Sequence, residues 1–215
     1  MSFYEYVTRN SDRIGFLTAQ HIEVVLLSVA IAAVLGVGLG IGTERAPRLR
    51  RALLTVTGTL LTVPSFALFG LLIPVLGLGL APTVVALTGY AVFPILRNTV
   101  TGLETVDPAV VDAARGMGLG PGQLLRLVRL PLAWPVILNG IRVATIMVVA
   151  IAAIGAAVRG PGLGELIFRG LSRLGGANAL NEALSGVVGV ALVALALDLL
   201  FVVVGRLTTP RGLHA

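Results

Sequence analysis

The sequence predicts an all-α polytopic membrane protein with about five transmembrane helices. Hydrophobic residues make up 56% of the chain and charged residues only 12%. Mean hydropathy is +0.98, and the apolar residues gather in runs long enough to cross a bilayer. A soluble domain carries about a quarter charged residues, so no soluble surface can be assembled from this composition.

A crossing needs about 20 mostly apolar residues. The first such run extends from about Ile22 to Gly42 and stops at Thr43-Glu44-Arg45. The second covers about Ala52 to Leu76, and Gly77 to Pro82 break it from the third, about Thr83 to Leu103. A fourth runs from near Pro135 to Val158, and a fifth from about Ala183 to Leu207. Residues 1–20 form an extracytoplasmic segment ahead of the spans, and no cleavable signal peptide is expected there, because Glu5, Arg9, Asp12 and Arg13 interrupt any apolar run. Phe3, Tyr6, Val7, Ile14 and Leu17 can share a helix face, so this segment is either an amphipathic helix at the membrane surface or a loosely ordered tail. The transmembrane domain is then 21–210, followed by a cytoplasmic tail at 211–215.

Orientation follows from arginine. Arg45, Arg48, Arg50, Arg51, Arg97, Arg115, Arg126, Arg129, Arg206 and Arg211 fall on one side, against Arg9, Arg13, Arg159, Arg169 and Arg173 on the other. The richer side is cytoplasmic, which places the N-terminus outside and the C-terminus in the cytoplasm. All 16 basic residues are arginine. Without lysine there is no P-loop and no Schiff base. Cysteine is absent and His21 and His214 are far apart, so no metal site is expected. The +6 charge flanks apolar spans rather than forming a stripe; lipid headgroups, not nucleic acid, are the expected contact.

The spans are more than lipid anchors. Pro64, Pro74 and Pro94 lie inside them, and such breaks survive in a membrane only beside protein or a water-filled cavity. Gly36/Gly40 and Gly38/Gly42 superficially suggest a dinucleotide loop, but they lie in an apolar helix and predict close helix packing. Asp198, deep in the last span, either marks a pathway or pairs with Arg142 or another partner.

Between spans three and four, Asp107 is a natural N-cap and Pro108 suits the first helical position. Ala109, Val110, Ala113, Ala114 and Met117 make an apolar stripe, and Gly116, Gly118 and Gly120 end the helix. Pro121 opens a second short helix, Gly122 to Arg129, which Pro131 is expected to separate from the fourth span. On these residues alone the segment is either an interfacial helix or a docking helix.

Its pattern resembles the "EAA" signature of ABC importer permeases. Asp112-Ala113-Ala114, then Gly118, then Val128-Arg129-Leu130-Pro131 keep the spacing of Glu-Ala-Ala, Gly and Ile-x-Leu-Pro, with Asp for Glu and Val for Ile. The resemblance implies a type I importer permease fold, with cytoplasmic coupling helices at about 107–130 that dock in a separate ATPase. The implied coupling residues are Asp112, Ala113, Ala114, Arg115, Gly116, Met117, Gly118, Arg126, Leu130 and Pro131. Other segments are similar to the osmoprotectant branch, which carries glycine betaine, choline and carnitine. They are Thr62 to Leu68, Tyr90 to Thr99, Ala113 to Gly118 and Gly162 to Gly170. Ala156 to Pro161 departs from the Gly-rich run expected there.

The resemblance further implies two ATPase subunits, a second permease subunit (identical or related) and an extracytoplasmic solute-binding protein. This chain would bind no cofactor, and ATP would be used by the partner. Pro64, Ser65, Phe66, Tyr90 and Phe93 are the pathway candidates, although Phe66, Phe69, Tyr90, Phe93 and Phe201 suit packing better than an aromatic cage. A methionine-type importer shares the coupling signature but not the Pro64 and Tyr90 segments. A channel would need a polar filter or charged ring, and a membrane enzyme would need paired acids or a Ser–His couple. Reporter fusions test the topology: activity only in the cytoplasm after Ala215 and only outside near Gly175 is expected. A Gly175 fusion active in the cytoplasm would overturn five spans.

Overall fold

The computed structural model describes residues 1–208, so the predicted tail at 211–215 lies outside the described residues. All regular structure among them is helical. A short helix α1 (Phe3–Arg9) precedes the long α2 (Ser11–Gly42). Next come α3 (Pro47–Leu60), α4 (Ser65–Leu76) and α5 (Leu80–Glu104). Then follow α6 (Pro108–Gly116), the single turn α7 (Pro121–Leu124) and α8 (Leu130–Ile154). The opposite end carries α9 (Gly164–Ser172), and α10 (Ala179–Thr208) closes the described chain.

Four helices are long and apolar enough to cross a membrane, and α3 with α4, bent by 99° at their break, give a fifth when the pair is counted as one span. That matches five spans in number but differs in three details. First, α2 has 32 residues, about 48 Å at the usual rise, so it projects well beyond a hydrocarbon core of about 30 Å. Residues 11–20 therefore continue the first span, and only α1 is a separate surface helix. Second, the second span is two helices, because Pro64 starts α4 instead of bending one helix. Third, Pro131 separates nothing. Helix runs unbroken from Pro121 to Val158, through a π-helical turn at Leu125–Arg129 in which the Leu130 N–H reaches back to the Leu125 carbonyl. The wider turn lets the ring of Pro131 enter without breaking the helix.

The core forms where α2 and α8 sandwich α5. Val24, Val25, Ala32, Leu87, Ala91, Ile95, Ala144 and Val148 are buried there. Glycine permits the approach. A Cβ on Gly36 would lie 2.8 Å from Cγ2 of Ile95, and one on Gly40 would lie 2.5 Å from Cγ2 of Thr99. From the other side, a Cβ on Gly140 would lie 2.5 Å from that of Asn98. Gly38 and Gly42 have nothing within 4 Å. Only one of the two expected glycine pairs packs, because only its face of α2 meets α5.

At the end opposite the coupling-like segment, charges tie the elements together. Arg13 of α2 pairs with Glu165 of α9 at 2.9 Å and with Glu182 of α10 at 3.2 Å. Arg169 pairs with the same two carboxylates, at 3.4 and 3.3 Å. Tyr6 of α1 is buried beside them, and burial, followed by the Glu182 carboxylate, pushes its phenol above the usual pKa.

The packing predicts unequal effects of like substitutions. Gly36→Val should lower the melting temperature of the detergent-purified protein by several degrees, an overpacking cost of about 1–3 kcal/mol. Gly38→Val, facing open space, should leave it within a degree or two, as surface changes do. Equal shifts in the two would show that α2 does not meet α5 along this face.

Candidate functional site

The segment between α5 and α8 folds as its residues dictate. The Asp107 carboxylate accepts the Ala109 N–H at 2.8 Å and Pro108 takes the first helical position, so α6 starts where the cap places it. The helix stops because Gly118 has a φ of +85°, a left-handed conformation that suits glycine. Gln123 then folds back so that its side-chain oxygen accepts the Gly120 N–H at 3.0 Å, starting α7.

One charged residue holds this segment to the spans, and a second ion pair nearby ties α3 to α5. Arg129, in the π-helical turn, pairs with Glu44 just beyond α2 and donates to the Leu103 carbonyl near the end of α5 at 2.8 Å. Arg50 of α3 pairs with Glu104 at 2.9 Å. A cavity of about 800 Å³ remains between the α2 end and the α6–α7 turn, lined by Glu44, Arg45, Arg115, Leu119 and Arg129 among others.

Most of the predicted coupling residues share one exposed surface. Asp112, Ala113, Arg115, Gly116, Met117, Gly118 and Arg126 are exposed, with Asp112 and Arg115 paired at 3.2 Å. Ala114 is buried, with Leu124, on the inner side, and Leu130 and Pro131 are half-buried in the continuous helix. Nothing lies within 4 Å of a Cβ built on Gly116 or Gly118. Sequence reasoning missed Arg129 as the tie to Glu44. Its position inside the signature, between Val128 and Leu130, is the one signal that could have suggested it.

The pathway candidates gather at the break in the second span. The Tyr90 hydroxyl of α5 donates to the Val63 carbonyl at 2.7 Å, satisfying a group freed by the bend. Phe93 packs against α3, 3.0 Å from the position of a Cβ on Gly58, and Arg97 lies over its ring. Thr62 turns its hydroxyl back onto the Thr59 carbonyl at 2.7 Å. Pro64 and Phe66 are exposed beside the half-buried Ser65, and no side chain caps the start of α4. Phe69, one turn on, is fully buried. Deeper in the bundle, Arg142 of α8 donates to both carboxylate oxygens of Asp198 in α10, at 2.6 and 2.7 Å. The pair that the sequence offered as one reading of Asp198 is therefore formed.

Residues 32–211 match the family described as binding-protein-dependent transport system inner membrane component. Over its whole length the chain is 37% identical to the osmoprotectant import permease protein OsmW of Salmonella typhimurium, covering 100% of both. It is 34% identical to the choline transport system permease protein OpuBB of Bacillus subtilis, over 98% of this chain and 95% of that one. A glycine betaine/carnitine/choline transport system permease protein of the same organism, OpuCB, is 33% identical, covering 97% and 94%. Among solved structures, a chain of the MetNI methionine ABC transporter in an inward-facing conformation superposes with a TM-score of 0.80. It covers 92% of this chain and 96% of that one at 23% identity, which shows a shared fold alone.

The hydroxyl on Tyr90 gives a specific test of the break. Tyr90→Phe leaves the Val63 carbonyl without its partner and should cost about 1–3 kcal/mol of stability, read as a lower melting temperature in detergent. No change would mean that water or another group satisfies that carbonyl and Tyr90 does not hold the bend.

Proposed function

Because the chain belongs to the inner-membrane components of binding-protein-dependent transport systems, we propose that it is the permease subunit of an ATP-driven importer of osmoprotectants, glycine betaine first. The observation that carries this reading is full-length identity to permeases named for those solutes, at 37% and 34%. The shared fold with MetNI supports the same kind of machine. In it, two permease subunits span the membrane, ATPase subunits lie on the cytoplasmic side, and an external binding protein delivers the solute.

The arginine-rich end faces the cytoplasm. The exposed surface from Asp112 to Gly118, with Arg126, docks in a cleft of the ATPase. Two features support this. Gly116 and Gly118 leave open space into which another protein can approach, and Arg129 ties the docked segment to the ends of α2 and α5 through Glu44 and Leu103. A push on α6 is therefore delivered to the spans at two points instead of being lost in a free loop. ATP is bound and hydrolysed by the partner, so this chain contributes a two-state route and no covalent chemistry. The bent span is suited to that role. Its two halves meet at Leu61 to Pro64, where α-helical bonding gives way to i→i−3 turn bonds and Pro64 donates none, so α3 and α4 can reorient with little further loss.

Gly118→Glu should insert and assemble in the membrane but abolish uptake, because a side chain at positive φ and an unpaired charge would enter the docked contact. Normal transport by that variant would remove the docking assignment. The substrate is tested by radiolabelled uptake in proteoliposomes holding the complete complex with its binding protein. Competition by glycine betaine, choline or carnitine is expected. Uptake of methionine with no competition from these three would overturn the osmoprotectant reading and leave the permease intact.

A further inference from the structure

Arg142 lies inside α8, the 25-residue helix Leu130–Ile154, within the fourth span. Its bidentate partner Asp198 lies well inside α10. Yet the fold does not enclose the pair: the side chains keep 36% and 26% of their accessible surface. An ionic pair facing lipid in this way is strongly disfavoured, and intramembrane charges turn toward protein or a water-filled route.

Beside the pair, between α8 and α10, a groove of about 310 Å³ opens. Its lining includes Asn139, Arg142, Phe201 and Arg206. The Arg142 guanidinium uses Nε and Nη2 on Asp198, which leaves further N–H donors of its five. Asn139 is exposed and makes no side-chain hydrogen bond among the described residues. Within one groove, then, stand a guanidinium held at a fixed angle, an unused amide, a second arginine and an aromatic ring.

We infer that this groove is a transit site for a zwitterionic solute that carries a carboxylate. Arg142 and Asn139 take the carboxylate through charge-assisted and amide hydrogen bonds, and the ring of Phe201 takes the methylated ammonium end. Asp198 is a positioning residue that holds the guanidinium and offsets its charge while the groove is empty. The ligand class rests on the osmoprotectant reading above; the placement of the site rests on the exposed pair and its groove.

A charge swap separates a transit site from a structural brace. Arg142→Asp with Asp198→Arg keeps an ion pair between the helices but moves the guanidinium to α10. In proteoliposomes with the complete complex and saturating binding protein, the swap should assemble normally. Glycine betaine uptake should fall about tenfold or more, the loss of a bond to a charged group. Asn139→Ala breaks no hydrogen bond of the fold and should also lower that rate, by roughly threefold or more. If the swapped complex does not assemble, Asn139→Ala decides by itself. Wild-type betaine transport by the swap, or by Asn139→Ala, would overturn the site. If the unmodified complex carries an amino acid instead, the osmoprotectant reading falls, and the same comparison with that zwitterion decides the groove. If it carries only choline, a cation without a carboxylate, the groove assignment fails and the osmoprotectant reading stands.

Discussion

Close approach of helix backbones at glycine is the constraint on which the other features depend. In a bilayer the hydrophobic effect does not drive helices together, since lipid tails are as apolar as leucine; dispersion contacts and short interhelical distances must hold them. Gly36 and Gly40 on α2, and Gly140 on α8, bring both helices against α5 at Ile95, Thr99 and Asn98. The fixed position of α5 then sets where Tyr90 and Phe93 stand, and so where the bent second span can rest. It also places Leu103 and Glu104 where Arg129 and Arg50 reach them.

A second constraint, that every backbone polar group at membrane depth needs a partner, explains the irregular features. The interruption between α3 and α4 exposes carbonyls that α-helical hydrogen bonding would have used. Tyr90 satisfies that of Val63, while the Thr59 carbonyl accepts both the N–H and the hydroxyl of Thr62. In α8 the solution is different: the π-helical turn changes hydrogen-bond register ahead of Pro131, and the helix continues. Pro64 precedes a new helix, whereas Pro131 lies inside a continuous one, just after the π-helical turn. The π-helical turn lies within the signature residues, at the point where the proposed movement enters the membrane.

Charge is sorted along the molecule by the work each end does. At the α9 end, two arginines and two carboxylates alternate in one cluster, with Glu182 almost fully buried. That cluster holds α2, α9 and α10 as a unit. At the other end the ties are single pairs, Arg129 to Glu44 and Arg50 to Glu104, flanking an open cavity. Between them stands Arg142–Asp198, the ion pair deep in the bundle that its own fold leaves partly uncovered.

The number of spans, the cap at Asp107 and the turn at Gly118 were legible in the sequence. They depend on local rules: apolar runs of bilayer length, an N-cap before proline, and glycine where φ is positive. The exposed signature surface was legible for the same reason, since its spacing belongs to one short segment. Four things were decided only by tertiary structure. Gly36 and Gly40 pack while Gly38 and Gly42 do not, because α5 lies against one face of α2. Pro64 begins a helix and Pro131 is absorbed in one, because a neighbouring hydroxyl or a change of register can satisfy what proline leaves open. Arg129 reaches Glu44 across most of a hundred residues. Asp198 pairs with Arg142 because α8 and α10 meet at that depth. Each of these depends on which helices become neighbours, a relation that is set by the packing of the whole bundle and is absent from any local stretch of residues.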